Sequence, residues 1–184
     1  LKKLIFSTIL LFTTTIFSQE AIDSTVQTSK GELSYMLYVD TYYGYDLNQP
    51  YSGNRPPFLY QYNRDNEFNI NMGLVDLNYK NDKLEANLGF NVGTFPQTYY
   101  AGADTLLNTV YQANIKYIAS KKFDICFGMF APHFGFESIL SYDNMTVSQS
   151  LISEGTPYYI SGVKAYFHPT PNWSLGAVIA NGWQ

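Results

Sequence analysis

The sequence has little charge. Of its 184 residues, 14% are Asp, Glu, Lys or Arg, whereas about 25% is usual for soluble domains. The formal net charge is -4, and no run of basic residues is present that would neutralise the phosphates of a nucleic acid. We therefore expect no nucleic-acid partner.

The sequence also lacks the residue patterns of common metal and catalytic sites. Cys126 is the only cysteine, which excludes an internal disulfide and a cysteine-based zinc site. His133 and His168 are far apart and have no ligand-like partner spacing. Glu137 and Ser138 have no paired histidine motif that would activate a nucleophile, and there is no glycine-rich phosphate loop. We expect no cofactor, no metal and no enzymatic activity.

The N-terminus has the three-part layout of a secretory signal peptide. Two lysines precede an almost wholly apolar run, Leu4–Phe12, and the chain turns polar before the small residue Ser18. A membrane-spanning helix needs about 20 residues, so an uncleaved anchor is the weaker alternative. We predict that residues 1–18 are a signal peptide cleaved before Gln19, and that residues 19–31 form a short polar tail.

Aromatic residues and strict alternation are what the sequence has in abundance. Aromatics make up 17% of the chain, and they favour β-strands and membrane interfaces. In Leu84–Val92 one face is wholly apolar and the other carries Glu, Asn and Gly, because side chains alternate along a strand. The same pattern predicts an all-β, antiparallel fold with seven strands: Leu33–Tyr45, Phe68–Tyr79, Leu84–Val92, Val110–Ala119, Phe123–Phe130, Tyr159–His168 and Trp173–Ala180.

Two local irregularities are expected. The apolar face of the second strand changes phase between Leu74 and Val75, which requires a β-bulge or a change of environment, with Gly73 as the pivot. In the connection after the fifth strand, Asn144 is placed to cap a short helix that ends at Gly155.

The connections between strands favour a membrane protein. They are long after the first, third and fifth strands and short after the others, which is the asymmetry of outer-membrane barrels. Aromatic residues at both strand ends predict two interfacial belts. The belt residues are Tyr79, Tyr117, Phe123, Phe167 and Trp173 at the short turns, and Tyr43, Tyr45, Phe68, Phe95, Phe130 and Tyr159 at the long loops. The alternative is a soluble β-sandwich with an aromatic core.

Seven strands are too few for a porin. A barrel with an aqueous channel has about 16–18 strands, and bacterial barrels usually have an even number. We therefore expect residues 32–184 to be the N-terminal portion of a transmembrane β-barrel of outer-membrane porin type, incomplete at about seven strands. The rival is a small eight-stranded barrel with a filled interior, of which one strand escapes the pattern.

In a barrel, the polar face of the strands would line the lumen. The candidate pore-lining residues are Asp40, Asn69, Asn71, Glu85, Asn87, Asn91, Gln112, Asn114, Lys116, Asp124 and Lys164. Three acids and two lysines are too evenly balanced to predict an ion preference. The alternative is that these side chains pair and plug the interior. We also expect the loop 131–157 to fold inward and narrow the pore.

Several segments resemble the OmpL-like beta-barrel porin family of Gram-negative outer membranes. They are RPPFLY at 55–60 with YNR at 62–64 and EFN at 67–69, GFES at 135–138, PYY at 157–159 and NGWQ at 181–184. The resemblance covers most of the chain from Glu32 onward. It implies a porin-like barrel in the outer membrane, longer than this chain, with no catalytic residues to carry over.

The leading functional hypothesis is an outer-membrane channel. Held in outer-membrane lipid, it would allow passive diffusion of small hydrophilic solutes or ions, and whether it forms a homo-oligomer is open. The alternative is a non-channel barrel that acts as an adhesin or surface anchor. Its tyrosine-rich loops would stack on glycans or bind a protein, through Tyr51, Tyr60, Tyr62, Tyr99 and Tyr100.

Overall fold

The computed structural model describes residues 24–28, 31–100 and 107–181. Within them, one antiparallel sheet of eight strands follows chain order. All seven predicted strands are present, with ends that differ by at most two residues from the prediction. The strands are β1 Ser24–Thr28, β2 Gly31–Gly44, β3 Glu67–Lys80, β4 Leu84–Val92, β5 Val110–Ser120, β6 Phe123–Phe130, β7 Ile160–Thr170 and β8 Trp173–Ala180.

β1 is the strand that the alternation missed. It lies within residues 19–31, for which a tail was expected, and it pairs antiparallel with β2, with Ser24 opposite Tyr35. Five residues of the expected tail therefore form a strand. Main-chain hydrogen bonds to β2 form this strand. Because its polar sequence has no apolar face, the side-chain pattern does not predict it. The predicted signal peptide lies outside the described residues.

The sheet is open within the residues that the structure describes. β1 pairs with β2 alone and β8 pairs with β7 alone, so the two edge strands do not meet. The rival prediction of an overlooked strand was right about the strand, but these eight strands do not close into a small barrel.

None of the described helices is both long enough and apolar enough to span a bilayer.

The connections differ in length at the two ends of the sheet, as predicted. Tight turns join β3 to β4, β5 to β6 and β7 to β8, whereas the connections 45–66, 93–109 and 131–159 are long. At the first tight turn the Asn81 side-chain oxygen accepts the N–H groups of Lys83 and Leu84 at 2.9 and 2.8 Å. This local bonding explains why Asn-Asp-Lys turns the chain in three residues.

A β-bulge in β3 explains the predicted change of phase but lies earlier than predicted. Asp40 pairs with Met72 and Thr41 pairs with Ile70, so Asn71 is the extra residue. The pivot is therefore Asn71, and the prediction of Gly73 was wrong by two residues. Because the bulge shifts the alternation, Met72 turns to the same face as Asp40 and is fully buried there.

A second bulge in β5 reverses one predicted orientation. Gln112 pairs with Gly89 and Val110 pairs with Phe90, which leaves Tyr111 as the extra residue. A Cβ atom on Gly89 would lie 2.8 Å from Cδ1 of Tyr111. Tyr111 therefore shares the face of Gly89 and Gln112, although the alternation placed it with the apolar residues.

The two faces of the sheet have inverted exposure. We call the face that carries Asp40, Asn87 and Lys164 the covered face, because the long loops lie over it, and the opposite face the bare face. On the bare face Val39 is 70% and Ile179 is 81% exposed. On the covered face the polar side chains of Asn71, Asn91 and Asn114 are buried. A soluble protein buries its apolar side chains instead.

An aromatic core fills the long-loop end of the covered face. It includes Phe95 of α1 (Thr94–Tyr99) in the second long connection, whereas in α2 (Leu151–Glu154) of the third long connection the buried residue is Glu154. The buried cluster comprises Met72, Leu74, Phe95, Tyr100, Met129, Leu140, Tyr158 and Tyr159.

The core changes the predicted aromatic belts. Of the six residues predicted for the belt at the long-loop end, Tyr43, Tyr45 and Phe68 are exposed, whereas Phe95, Phe130 and Tyr159 are buried. The prediction that these last three form a belt was wrong, because Phe95 and Tyr159 pack against loop tyrosines and Phe130 lies against Lys164. At the short-turn end Tyr117, Phe123, Phe167 and Trp173 are exposed.

Candidate functional site

All eleven residues predicted to line a pore lie on the covered face. Directly paired residues in neighbouring strands share a face. Lys116 lies between Glu85 and Cys126, and Cys126 in turn lies opposite Lys164. Asn69 lies opposite Tyr42 near the long loops, where its amide bonds only to its neighbours Glu67 and Ile70.

A row of amide side chains crosses the middle of the covered face. Asn78 Nδ2 donates to Asn87 Oδ1 at 2.5 Å, and Asn87 Nδ2 donates to Asn114 Oδ1 at 2.9 Å. Asn114 Nδ2 continues to the main-chain oxygen of Met129 at 3.1 Å. These bonds run perpendicular to the strands, so the row holds four neighbouring strands in register while its side chains stay polar and uncharged.

Partner side chains contact Lys116, Asp124 and Lys164 on the short-turn side of this row. Lys116 Nζ lies 2.5 Å from Glu85 Oε2, and His168 Nε2 lies 2.9 Å from Asp124 Oδ2. Lys164 Nζ lies 4.2 Å from the centre of the Phe130 ring, a cation–π contact. On the short-turn side of the amide row, the covered face is therefore polar and its positive and negative charges nearly cancel.

Asp76, Asn78 and Tyr111 belong to the same wall although sequence reasoning missed them. Gln112 Nε2 donates to both carboxylate oxygens of Asp76, at 2.9 and 2.8 Å. The change of phase in β3 indicates the face on which Asp76 and Asn78 lie. Once Val75 and Leu77 are assigned to the apolar face, the residues between them and after them must point the other way. No comparable signal marks Tyr111.

Asp40 ties three segments of the chain together on the covered face. Its Oδ2 accepts from Tyr62 Oη at 2.7 Å, from Asn71 Nδ2 at 2.9 Å and from Ser141 Oγ at 3.1 Å. The hydroxyl groups of Tyr62 and Ser141 also contact each other. We call Asp40, Tyr62 and Ser141 the carboxylate latch. It joins β2 to the first and third long connections.

Tyr62 holds an unusual backbone conformation within the latch. Its φ angle is +52°, in the left-handed region that bulky residues seldom adopt. Its N–H donates to Asn71 Oδ1 at 3.0 Å, and its ring packs edge-on against Tyr42 at 5.1 Å. Contacts on all sides therefore hold the residue in a conformation that would otherwise be unfavourable.

The connection 131–159 crosses the covered face. It leaves β6, yet its turn Ser141–Asp143 reaches β2, four strands away in the sheet. There the Ser141 N–H donates to Tyr38 Oη at 3.3 Å, and the ring of Tyr142 lies 5.5 Å from that of Tyr38. The loop must therefore pass over β3, β4 and β5.

The short helix in this loop begins later than predicted. Ser150, and not Asn144, caps it by accepting the Ser153 N–H at 3.4 Å, and Gly155 ends it as predicted. Asn144 instead closes the turn before the helix, because its amide accepts from and donates to the main chain of Ser138.

Glu154 anchors the far end of the loop. It is buried, and its carboxylate oxygens accept the N–H groups of Tyr60 and Gln61 at 3.3 and 3.5 Å. The Gln61 amide also bonds to Ile139 and Gln149 across the loop. Burial raises the pKa of Glu154, and the two main-chain donors lower it only in part.

The loop tyrosines proposed as a glycan-binding surface are mostly packed. The ring of Tyr60 lies 4.7 Å from that of Tyr99, Tyr62 belongs to the latch, and Tyr100 stacks on Tyr159 at 5.3 Å. Only Tyr51 of the five is fully exposed.

No group of three or more His, Cys, Asp or Glu side chains in the described ranges is placed to hold a metal ion.

An antiparallel sheet with an exposed apolar face, a polar covered face and long loops at one end has the strand pattern of the wall of an outer-membrane β-barrel. Residues 32–184 match the family described as "Putative beta-barrel porin-2, OmpL-like", and the chain belongs to this family. Comparison with curated proteins and with solved structures gave no match.

Proposed function

We propose that this chain belongs to an outer-membrane β-barrel channel for passive diffusion of small hydrophilic solutes or ions. The observation that carries the proposal is the exposure of the bare face. Leu37, Phe90, Phe127 and Leu175 lie on four different strands of that face, and each is about half exposed. An apolar surface continuous across a sheet is not left in water by a soluble monomer, but it suits lipid.

The covered face supports the proposal because it would be the polar lining of the channel. In a closed barrel it would surround the lumen, where its amides and paired charges would hydrate a pore without binding ions tightly. Because Lys116 and Asp124 are both paired, we expect weak ion selectivity. The eleven residues given above, together with Asp76, Asn78 and Tyr111, would line this pore.

The connection 131–159 would act as a constriction. It reaches β2 from β6 and is fixed there by the carboxylate latch, so it would occupy part of the lumen at the long-loop level. Its role is to set the size of solutes that pass. The constriction lies on the side where outer-membrane barrels carry their long extracellular loops.

The alternatives receive less support. A soluble sandwich would place a second layer against the apolar face, and nothing within the described ranges packs there. An adhesin would need accessible tyrosines, and four of the five proposed ones pack against other residues or bond within the latch. In the non-channel alternative, the exposed side chain of Tyr51 would be the loop tyrosine that contacts a glycan or a protein.

Planar-bilayer recording tests the proposal. The full-length protein is purified in detergent, and folded protein is selected by heat-modifiable migration on gels. We expect discrete conductance steps, absent after heat denaturation. Folded protein that associates with membranes but never conducts would overturn the channel and favour an anchor.

N-terminal sequencing of protein from the membrane tests export, because we expect the mature chain to begin at Gln19 and an intact Leu1 would contradict that.

A further inference from the structure

A cavity of about 670 Å³ lies on the covered face beside β7 and β8. Ligand pockets in proteins span about 300–1,000 Å³. The walls come from the start of the long connection (His133 and Phe134), from its end (Tyr159), from β7 and β8 (Tyr166 and Gly176), and from Asn181, which follows β8. The cavity therefore lies between the proposed constriction and the sheet.

Four aromatic side chains line the cavity, those of His133, Phe134, Tyr159 and Tyr166. Tyr166 lies directly opposite Gly176, and a Cβ atom on Gly176 would lie 2.7 Å from the Tyr166 ring. The absence of a side chain at Gly176 thus lets the ring lie against the neighbouring strand. The rings of His133 and Phe134 lie 4.3 Å apart, and the ring of Tyr159 is backed by Tyr100.

Among the residues that the structure describes, none that lines the cavity carries a permanent charge. Its ten lining residues include no Asp, Glu, Lys or Arg. The two ionisable neighbours along β6 and β7 on the same face are occupied elsewhere: Lys164 lies over Phe130, and Asp124 pairs with His168. A charged occupant would lose hydration with no opposite charge to replace it.

We propose that this cavity is a binding subsite for a neutral saccharide that enters the channel. The inference rests on the proposed function, because it assumes that solutes reach the covered face. A sugar ring offers apolar C–H faces that fit aromatic rings and hydroxyl groups that bond to polar tips. Phe134 and Tyr166 supply the flat surfaces, and Asn181 and His133 supply hydrogen-bonding groups at the rim.

Calorimetric titration of the folded, detergent-solubilised full-length protein with maltose, cellobiose and lactose tests the proposal without requiring conductance. We expect at least one of them to bind, Tyr166→Ala to weaken that binding about tenfold or more, and Tyr166→Phe to retain most of it. Val178→Trp, which fills the cavity from β8 without removing a ring, should abolish binding. Tyr117→Ala on the bare face is the matched control and should bind normally.

The possible results separate the subsite from the channel. Conductance without binding of any neutral disaccharide would overturn the subsite and leave the channel standing. Binding without conductance would support the subsite and overturn the channel. Equal affinity in wild type and in both Tyr166→Ala and Val178→Trp, each shown to be folded by heat-modifiable migration, would place binding elsewhere and overturn the proposal. Equal binding of a uronic-acid disaccharide would contradict the neutral specificity.

Discussion

Gly89 illustrates, at the scale of single residues, how the covered face is packed. The alternation of β4 marks Gly89 only as a position without an apolar side chain. In the fold it gives room to the bulged Tyr111 and to the Asp76 carboxylate, which a Cβ atom would approach to 2.8 and 2.7 Å. Both contacts are closer than ordinary packing allows.

We expect Gly89→Ala to destabilise the protein by about 1–3 kcal/mol through overpacking. Gly73→Ala is the matched control, since a Cβ atom there meets its nearest neighbour, Val92 Cγ2, at an ordinary 3.4 Å. That change should stay within about 0.5 kcal/mol. Urea unfolding followed by the loss of heat-modifiable migration measures both, and equal effects would contradict the packing around Tyr111.

Tyr62 is the residue whose removal should release the latch. Tyr62→Phe deletes the hydrogen bond to the Asp40 carboxylate and the contact with Ser141, a loss of about 1.5–3 kcal/mol for a bond to a charged group. A spin label at Met145→Cys, in a Cys126→Ala background, should become more mobile. The control is Tyr45→Phe, whose hydroxyl bonds only within its own loop to Gln49. Unchanged label mobility in Tyr62→Phe would show that the latch does not hold the loop.

Glu154 should make loop docking depend on pH. Its pKa is raised in the folded state by burial, so the docked loop holds the proton more tightly than the free loop does. The stabilisation is therefore complete below the ordinary value of 4.5 and is lost as pH rises through the raised pKa. The nearby Glu137 carboxylate acts in the same direction.

The spin label at position 145 reports this dependence. We expect its mobility to increase from pH 4 to pH 7 in the otherwise unchanged protein. Glu154→Gln carries no charge at either pH, and its label should show no such trend. A trend of the same size in Glu154→Gln would assign the effect to another group.

At the scale of elements, the strands could be predicted, whereas the exact positions of the bulges could not. Alternation over 8 to 14 residues identified seven strands, because each strand separates an apolar from a polar face. Asn71 and Tyr111 break the alternation without a distinctive residue type, so their positions depend on how the neighbouring strands pair. β1 escaped for a different reason, since a strand with no apolar face has no pattern to detect.

The positions at which the third long connection docks could not be predicted from the sequence either. The length of the connection 131–157 suggested that this loop folds inward. It did not indicate that Ser141 contacts Asp40, about a hundred residues earlier in the chain. The latch depends on a serine, an aspartate and a tyrosine, which are common loop and strand residues with no characteristic spacing. Tertiary packing alone brings them together.

Removing the loop tip should widen the proposed pore. Deletion of residues 141–154 removes the Ser141 contact with the latch and the Glu154 anchor, and we expect a larger single-channel conductance. Deletion of the exposed residues 145–148 is the control, because it shortens the loop but leaves Ser141 and Glu154 in the chain. An unchanged conductance after the larger deletion, in protein that still shows heat-modifiable migration, would mean that the loop does not constrict the pore.

At the scale of the whole molecule, the inverted faces follow from the sequence, whereas closure does not. Alternation tells which residues share a face, and low charge with many aromatics suggests that the apolar face meets lipid. Whether β1 and β8 find partners depends on contacts that alternation does not encode. A single substitution on each face can therefore test the membrane orientation more directly than any count of strands.

Leu88 and Ser34 provide that test at one depth. Leu88 lies on the bare face of β4, next to Asn87, and Ser34 lies on the covered face in the row of Asn78 and Asn87. If the bare face meets lipid, Leu88→Arg should cost about 2–4 kcal/mol near the middle of the membrane. Ser34→Arg should cost less than about 1 kcal/mol, since Ser34 gives up only a long 3.5 Å hydrogen bond and its replacement reaches water. Urea unfolding from phospholipid vesicles measures both, and equal costs would mean that the two faces meet the same solvent.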